Sequence, residues 1–504
     1  MPAVPGWVNR GQRRAGFQGG PRWLGFLVAG PHIRDCNPLP GGSQGSSKIS
    51  STVVSAALHS IGALLFITLG SCGSGPSSAG PGERPWGENP PSHVLFLSID
   101  TLRADHLGFY GYPRPTSPRM DEFAEEAVIF DEAQASASWT LPGLASVLTS
   151  QFTSTHNCLS FGARLSESFT TLAELLLSAG YDTACVTSHV FVTTRHGLQQ
   201  GFVHFDDSFA YPAVDPEDGI TSEIISDKGI RFLEQKAAAE DPDPWFLWLH
   251  YFDPHDRYME HAGISDAFVT PGERDNDTIR RDLYDGEIRF TDMHVGRVLD
   301  ALQETGFGDD TIVVLFSDHG EEFLDHGSRG HGHTLFRELV RVPLVIRAPG
   351  IAFGRIETTV RTVDILPTLL DLTGLSAMPN VAGQSLAPLM RGGDFDSEPA
   401  LAEIHPSGAP AQDCLVEDRY KLILQYPQGG VRRLLFDLRT DPEEQVDIAQ
   451  EHPQVCERME RELLELKKKA LERGAEHVPA RNLELTPGQL EVLQQLGYGG
   501  EEGQ

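Results

Sequence analysis

TIVVLFSDHGEEFLDHGSRGHGHT, residues Thr311–Thr334, opens on the unbroken apolar run Ile312–Phe316 and then turns abruptly polar at Ser317-Asp318-His319. A Val/Ile/Leu/Phe run without polar alternation reads as a strand covered on both faces, as in a parallel sheet flanked by helices. Ligands of such sheets bind beyond the carboxyl ends of the strands. Asp318 and His319 are therefore candidates for holding a metal ion. His326, His331 and His333, in the Gly-rich stretch that follows, are further candidates for metal ligation and for proton transfer.

The rest of the chain repeats the pattern. Val94–Ser98 is a second covered strand and ends at Asp100-Thr101, so a second carboxylate emerges at a strand end. Acid at the ends of two buried strands is costly unless paired or metal-bound. Val128–Asp131 reads as a strand, and Thr140-Leu141-Pro142 opens a helix with Thr140 as its N-cap and Leu144, Val147 and Leu148 as its buried stripe. A hydroxyl there sits where the helix dipole favours anions. Leu172–Leu177 predicts a helix, Tyr181–Thr187 a strand ending at Ser188-His189, and Ile220–Leu233 a longer helix. Trp245–Phe252 predicts an aromatic strand ending in Asp253-Pro254-His255, Ile288 to Leu302 a helix face, and Val342–Ile346 a further strand. Strands alternating with helices predict a doubly wound α/β domain over residues 93–395, its sheet largely parallel with helices on both faces. Beyond it, paired strands at Arg419–Leu424 and Arg433–Phe436 and a helix at Val455–Leu471, with Lys467–Lys469 on the wet side, predict a smaller C-terminal α+β subdomain over 396–504.

Charge narrows the partners. A net charge of -31 over 504 residues offers no basic patch to a phosphate backbone, which excludes nucleic acid. Residues 1–72 read as a targeting region, with the apolar segment Val53–Leu69 followed by Leu69-Gly70-Ser71-Cys72, which resembles a bacterial lipoprotein signal. Cys72 would then be lipidated, tethering a periplasmic or cell-surface protein to the membrane through the Gly/Ser/Pro-rich stretch 73–92. Cys158, Cys185, Cys414 and Cys456 show no zinc spacing; one or two disulfides are compatible with export.

Several motifs together resemble the sulfatase branch of the alkaline phosphatase superfamily. They are Ser98-Ile99-Asp100-Thr101-Leu102-Arg103, Asp253-Pro254-His255, Ser317-Asp318-His319-Gly320-Glu321, Arg341-Val342-Pro343-Leu344, Thr362-Val363-Asp364-Ile365 and Leu435-Phe436-Asp437-Leu438, and the likeness runs on to Leu496-Gly497-Tyr498. The resemblance implies metal ligation by Asp100, Asp318 and His319 and puts Thr140 at the nucleophile position, where it also faces the metal. It implies that His255 contacts the substrate anion and that His331 and His333 lie near the transferred group.

The departures from the family pattern are as informative. Thr140 stands where sulfatases carry the Cys or Ser oxidised to formylglycine, Leu144 where they carry Arg, and Thr101 where a second acid belongs. Formylglycine releases sulfate by elimination, whereas an ester of threonine must be attacked by water or by an acceptor alcohol. Three functions follow: a metal-dependent hydrolase of sulfuric or phosphoric esters, a phosphoethanolamine- or phosphoglycerol-type transferase, and a silent binding protein. The substrate is an anionic ester of a small molecule, glycan or lipid. The ion is divalent, with Ca, Mg, Mn and Zn all open. Arg103 and Asp105 are expected at the surface or in caps.

Overall fold

The computed structural model describes residues 92–210, 221–240, 242–406, 408–417, 419–479, 481–484 and 486. The targeting region with Cys72, nearly all of the tether, and the terminal Leu496-Gly497-Tyr498 lie outside the described residues. No helix among the described residues is long and apolar enough to cross a membrane.

One nine-stranded sheet organises the fold. Its strands are β1 (His93–Ile99), β2 (Val128–Gln134), β3 (Asp182–Thr187), β4 (His204–Asp206), β5 (Trp245–Tyr251), β6 (Thr311–Phe316), β7 (Arg341–Arg347), β8 (Gly354–Ile356) and β9 (Val360–Arg361). They lie in the order β8-β2-β7-β6-β1-β5-β3-β4, with β9 also paired to β2. β6, β1, β5, β3 and β4 run parallel. β7 is antiparallel to both its neighbours.

The continuous apolar runs are explained by the two faces. In β1, Val94 and Phe96 pack into one core while Leu95, Leu97 and Ile99 pack into the other. β6 divides in the same way, with Ile312, Val314 and Phe316 on one side and Val313 and Leu315 on the other. Each such side chain contributes roughly 1.5–3 kcal/mol through burial. The first core is covered by α1 (Thr140–Thr149), whose ten residues are all buried, and α2 (Leu172–Ser178), capped by Thr171 through a reciprocal pair with Glu174. The second is covered by α3 (Ser222–Ala237) and α4 (Asn276–Glu304), the latter capped by Asp275.

A separate four-stranded antiparallel sheet follows: β10 (Ala400–Ile404), β11 (Gln412–Val416), β12 (Tyr420–Gln425) and β13 (Arg432–Asp437). Helix α5 (Pro453–Gly474) packs on it through Cys456, Met459, Leu463 and Ala470. Two expectations need correction, those for Lys467 and Arg103. Lys467 is not on the wet side: it reaches Asp413 at 2.6 Å and Glu403 at 3.3 Å, because a buried carboxylate on β11 needs a cation. The four cysteines among the described residues are all buried thiols without disulfides. Arg103 is buried, held by Asp105 and Asp325 and donating to the Glu321 carbonyl.

A cavity of about 630 Å³ lined by Arg119, Asp300, Asp309 and Arg347 opens where β6 begins, beside Gly308 and Asp309. It therefore lies away from the strand ends that carry Asp100 and Asp318.

Candidate active site

β1 and β6 are hydrogen-bonded in parallel register, Ser98 opposite Phe316, so the residues that follow each strand emerge side by side. Asp100, Asp318 and His319 are all buried there. His319 Nδ1–H donates to the Gly320 carbonyl at 2.9 Å, which turns Nε2 toward the two acids. That nitrogen lies 3.3 Å from Asp100 Oδ1, 3.5 Å from Asp318 Oδ2 and 3.3 Å from Thr140 Oγ1. None of the four carboxylate oxygens has an aligned hydrogen-bond partner among the described residues.

Electrostatics say what is needed. Burial, and then Asp100, push the Asp318 carboxyl up to about 8, and burial also raises Asp100. Burial opposes a charge on His319, yet Asp318 and Asp100 hold its imidazole up at about 9. Two buried acids gathered about one ring demand a positive charge. One donor atom each from Asp100, Asp318 and His319 can converge on a single ion. Orphaned acceptors and an imidazole oriented by a backbone carbonyl fit a divalent cation.

Thr140 is delivered by α1. Trp139, with extended backbone, is the N-cap, and Thr140 is the first residue of the helix rather than its cap. The approach is close: a Cβ added at Gly143 would sit 3.0 Å from the Asp318 carbonyl oxygen.

A second layer of histidines borders this cluster. His189, at the end of β3, places Nε2 3.1 Å from Asp100 Oδ2. The Phe191 N–H donates to its Nδ1 at 3.1 Å, so a neutral ring carries its proton on Nε2. His255 stacks on Phe252 at 4.6 Å, and its Nδ1–H donates to the Asp256 carbonyl at 3.4 Å. The His331 ring lies 4.6 Å from His319 and 4.8 Å from His255, with Nδ1 3.1 Å from Glu321 Oε1. Burial, followed by repulsion from neighbouring histidines, His319 among them, holds His189, His255 and His331 well below the usual imidazole range.

The structure thus brings together Asp100, Thr140, Asp318 and His319, with His255 and His331 beside them. His333 Nε2 faces Glu322 Oε2 at 2.8 Å instead, and His326 is taken up by Glu338 and the Glu444 carbonyl. Sequence reasoning missed Glu321, which burial pushes up to about 8; its only signal was an acid directly after Asp-His-Gly. It also left His189 without a role. Glu287 is buried against His261 at 2.8 Å. Asp364 is paired with Arg361.

Comparison with known proteins identifies the family and the fold. A sulfatase family model matches residues 92–375, and a model for the C-terminal part of N-sulphoglucosamine sulphohydrolase matches 331–469. The chain is 29% identical to arylsulfatase K of Mus musculus over 242 residues, 46% of this chain and 43% of that protein. It thus spans less than half the length of that relative. It is 26% identical to a choline-sulfatase of Rhizobium meliloti over 430 residues, 71% of this chain and 82% of the relative. The phosphonate monoester hydrolase of Agrobacterium radiobacter shares the fold, with a TM-score of 0.61 at 22% identity over 80% of this chain and 99% of the other. With more than half of its length matched to one model, from the strand that delivers Asp100 to beyond Asp364, the chain belongs to the sulfatase family.

Proposed function

We propose that this protein is a metal-dependent hydrolase of sulfuric or phosphoric esters that uses Thr140 as its nucleophile. The observation that carries the reading is Thr140 Oγ1 at 3.3 Å from His319 Nε2, the nitrogen that also faces the buried carboxylates of Asp100 and Asp318. Asp100, Asp318 and His319 would hold the divalent ion, with Thr140 facing it. When bound, the ion supplies neutralisation of the ester oxygens and a lowered pKa for the hydroxyl.

The chain's own residues do the rest. Thr140 attacks in line with the leaving oxygen, from a helix terminus whose backbone amides favour anions. His255 holds a non-bridging oxygen. His333, whose imidazole Glu322 holds above its usual range, gives the leaving oxygen its proton, and His331, with Nδ1 at Glu321, lines the same side in its neutral form. Water then attacks the threonine ester. Similarity to proteins named as sulfatases and to a phosphonate monoester hydrolase supports both ester classes.

The test is a panel of aryl sulfate, phosphate monoester, phosphodiester and phosphonate esters, assayed with Thr140→Ala and Asp318→Ala. Each variant is expected to lose at least about 10³-fold in kcat/KM on the preferred ester. Undiminished turnover after chelation would sink the reading. Products formed only with an acceptor alcohol, and no inorganic anion released, would mark a transferase instead. We further infer attachment to the membrane through Cys72, at the periplasmic or cell surface; Cys72→Ser should move the protein from the membrane to the soluble fraction.

A further inference from the structure

We infer that Glu287 is a positioning residue for His255: from the middle of α4 it latches the loop of residues 253–265, and through that loop it sets how tightly the site holds the anion of its ester. The inference rests on the proposed ester chemistry, in which His255 holds a non-bridging oxygen, and names what places that ring.

The loop follows β5 and is tied down on both sides of His255. Before it, the Asp253 carboxylate accepts from the Thr221 N–H at 3.1 Å and from the N–H and hydroxyl of Ser222 at 2.7 and 2.6 Å. The Thr291 hydroxyl donates to the Asp253 carbonyl at 3.3 Å. After it, Glu287 is the anchor: one carboxylate oxygen accepts from the Met259 N–H, and the other faces His261 Nε2 at 2.8 Å. The His261 ring lies flat on Phe290, with centroids 3.9 Å apart, and its own N–H donates to Ser265 Oγ at 2.9 Å. Glu287, Phe290 and Thr291 stand three and four residues apart, so one face of α4 serves both anchors.

The stretch between the anchors needs holding. Arg257 has φ 74°, in the left-handed region, a backbone that non-glycine residues rarely adopt and that persists where surrounding contacts determine it. His255, two residues earlier, stacks on Phe252 and meets the His331 ring at 4.8 Å, which puts it at the site. Tyr258 adds a ring contact with Tyr284 of α4 at 5.6 Å. Beyond the latch the loop closes tightly on the helix, where a Cβ at Gly286 would come 2.6 Å from Ser265 Oγ.

Glu287 is only 3% exposed, and both of its partners, Met259 and His261, belong to this loop. An acid buried merely to steady a helix is a costly device. Directional bonds from one carboxylate to a backbone amide and to an imidazole instead fix where the loop lies, and in a buried network such bonds are strong.

The experiment uses the full chain with Glu287→Ala, Glu287→Gln and His261→Ala, each alone and combined with His255→Ala. Affinity for inorganic sulfate and phosphate is measured by calorimetry, kcat and KM on the preferred ester, and thermal unfolding on every sample. Glu287→Ala should weaken the preferred anion and raise KM at least about tenfold, with kcat falling less than about threefold. Glu287→Gln, whose amide oxygen still accepts from the Met259 N–H, should stay within about threefold of wild type. In the His255→Ala background neither Glu287→Ala nor His261→Ala should weaken the anion further, because residues acting through one contact are not additive. Should Glu287→Ala fail to fold, His261→Ala carries the same comparison, with a smaller loss that again requires His255. Equal losses with and without His255, or anion affinity that ignores both Glu287→Ala and His261→Ala, would overturn the inference alone. Wild type that binds neither anion and turns over no ester would overturn the proposed function with it.

Discussion

Glu287 shows what a buried acid costs when no ion joins it. Its partner is His261, at 2.8 Å, and burial nevertheless pushes its carboxyl up to about 7. The unfolded chain would titrate at about 4.3, so the folded state binds the proton more tightly. Stability from this group is complete below that value, declines as pH rises toward 7, and is level above it, a loss of roughly 3 kcal/mol. Glu287→Gln should flatten the slope of unfolding free energy between pH 5 and 7, measured by urea denaturation at several pH values; an unchanged slope would assign the pH dependence elsewhere.

The elements meet at glycines. Gly143, in the first turn of α1, touches the Asp318 carbonyl closely enough that a methyl group would force the turn after β6 to give by a few tenths of an ångström. Gly143→Ala should fold and lose about 10–100-fold in turnover, since small misplacements of reacting groups are costly. Gly320 is stricter: a Cβ would come within 1.9 Å of the Glu338 carbonyl oxygen, so Gly320→Ala should yield little folded protein on expression. The strands themselves were legible, because every residue of Val94–Leu97 or Ile312–Phe316 is claimed by one face or the other. Direction was not: the middle of β7, Val342–Ile346, is as buried as β6, and only its pairing with both neighbours shows that it runs the other way. Asp100, Thr140, Asp318 and His319 could be read as strand and helix ends. His189 and Glu321 could not, because their roles depend on which ring nitrogen holds a proton, and that is set by the Phe191 amide and by a side-chain pairing across a loop.

Across the whole molecule, the C-terminal sheet reaches back to the site. Gln412 on β11 donates to the His333 carbonyl at 2.9 Å. His326 donates to the Glu444 carbonyl at 3.0 Å, and the Glu444 carboxylate accepts from Arg337 N–H at 3.1 Å and from Lys421 at 2.8 and 2.9 Å. The loop carrying His331 is therefore seated at both ends on residues from β11 and beyond. Lys421 and Glu444 are each almost wholly buried, so removing one leaves a charge without a partner. Lys421→Met should destabilise by about 3–5 kcal/mol, and adding Glu444→Leu should restore much of it; chemical denaturation of the single and double variants checks both.

That seating also fixes an order of assembly. Asp100 and Thr140 leave the ribosome early, Asp318 and His319 later, and the residues that settle the His331 loop last of all. A nascent chain stalled before Ala400 would carry every proposed ion ligand and still lack the surface that steadies His331. Competence thus arrives only when synthesis is nearly complete, and the partner fragments of a chain cut near residue 395 should be active only after they are brought together.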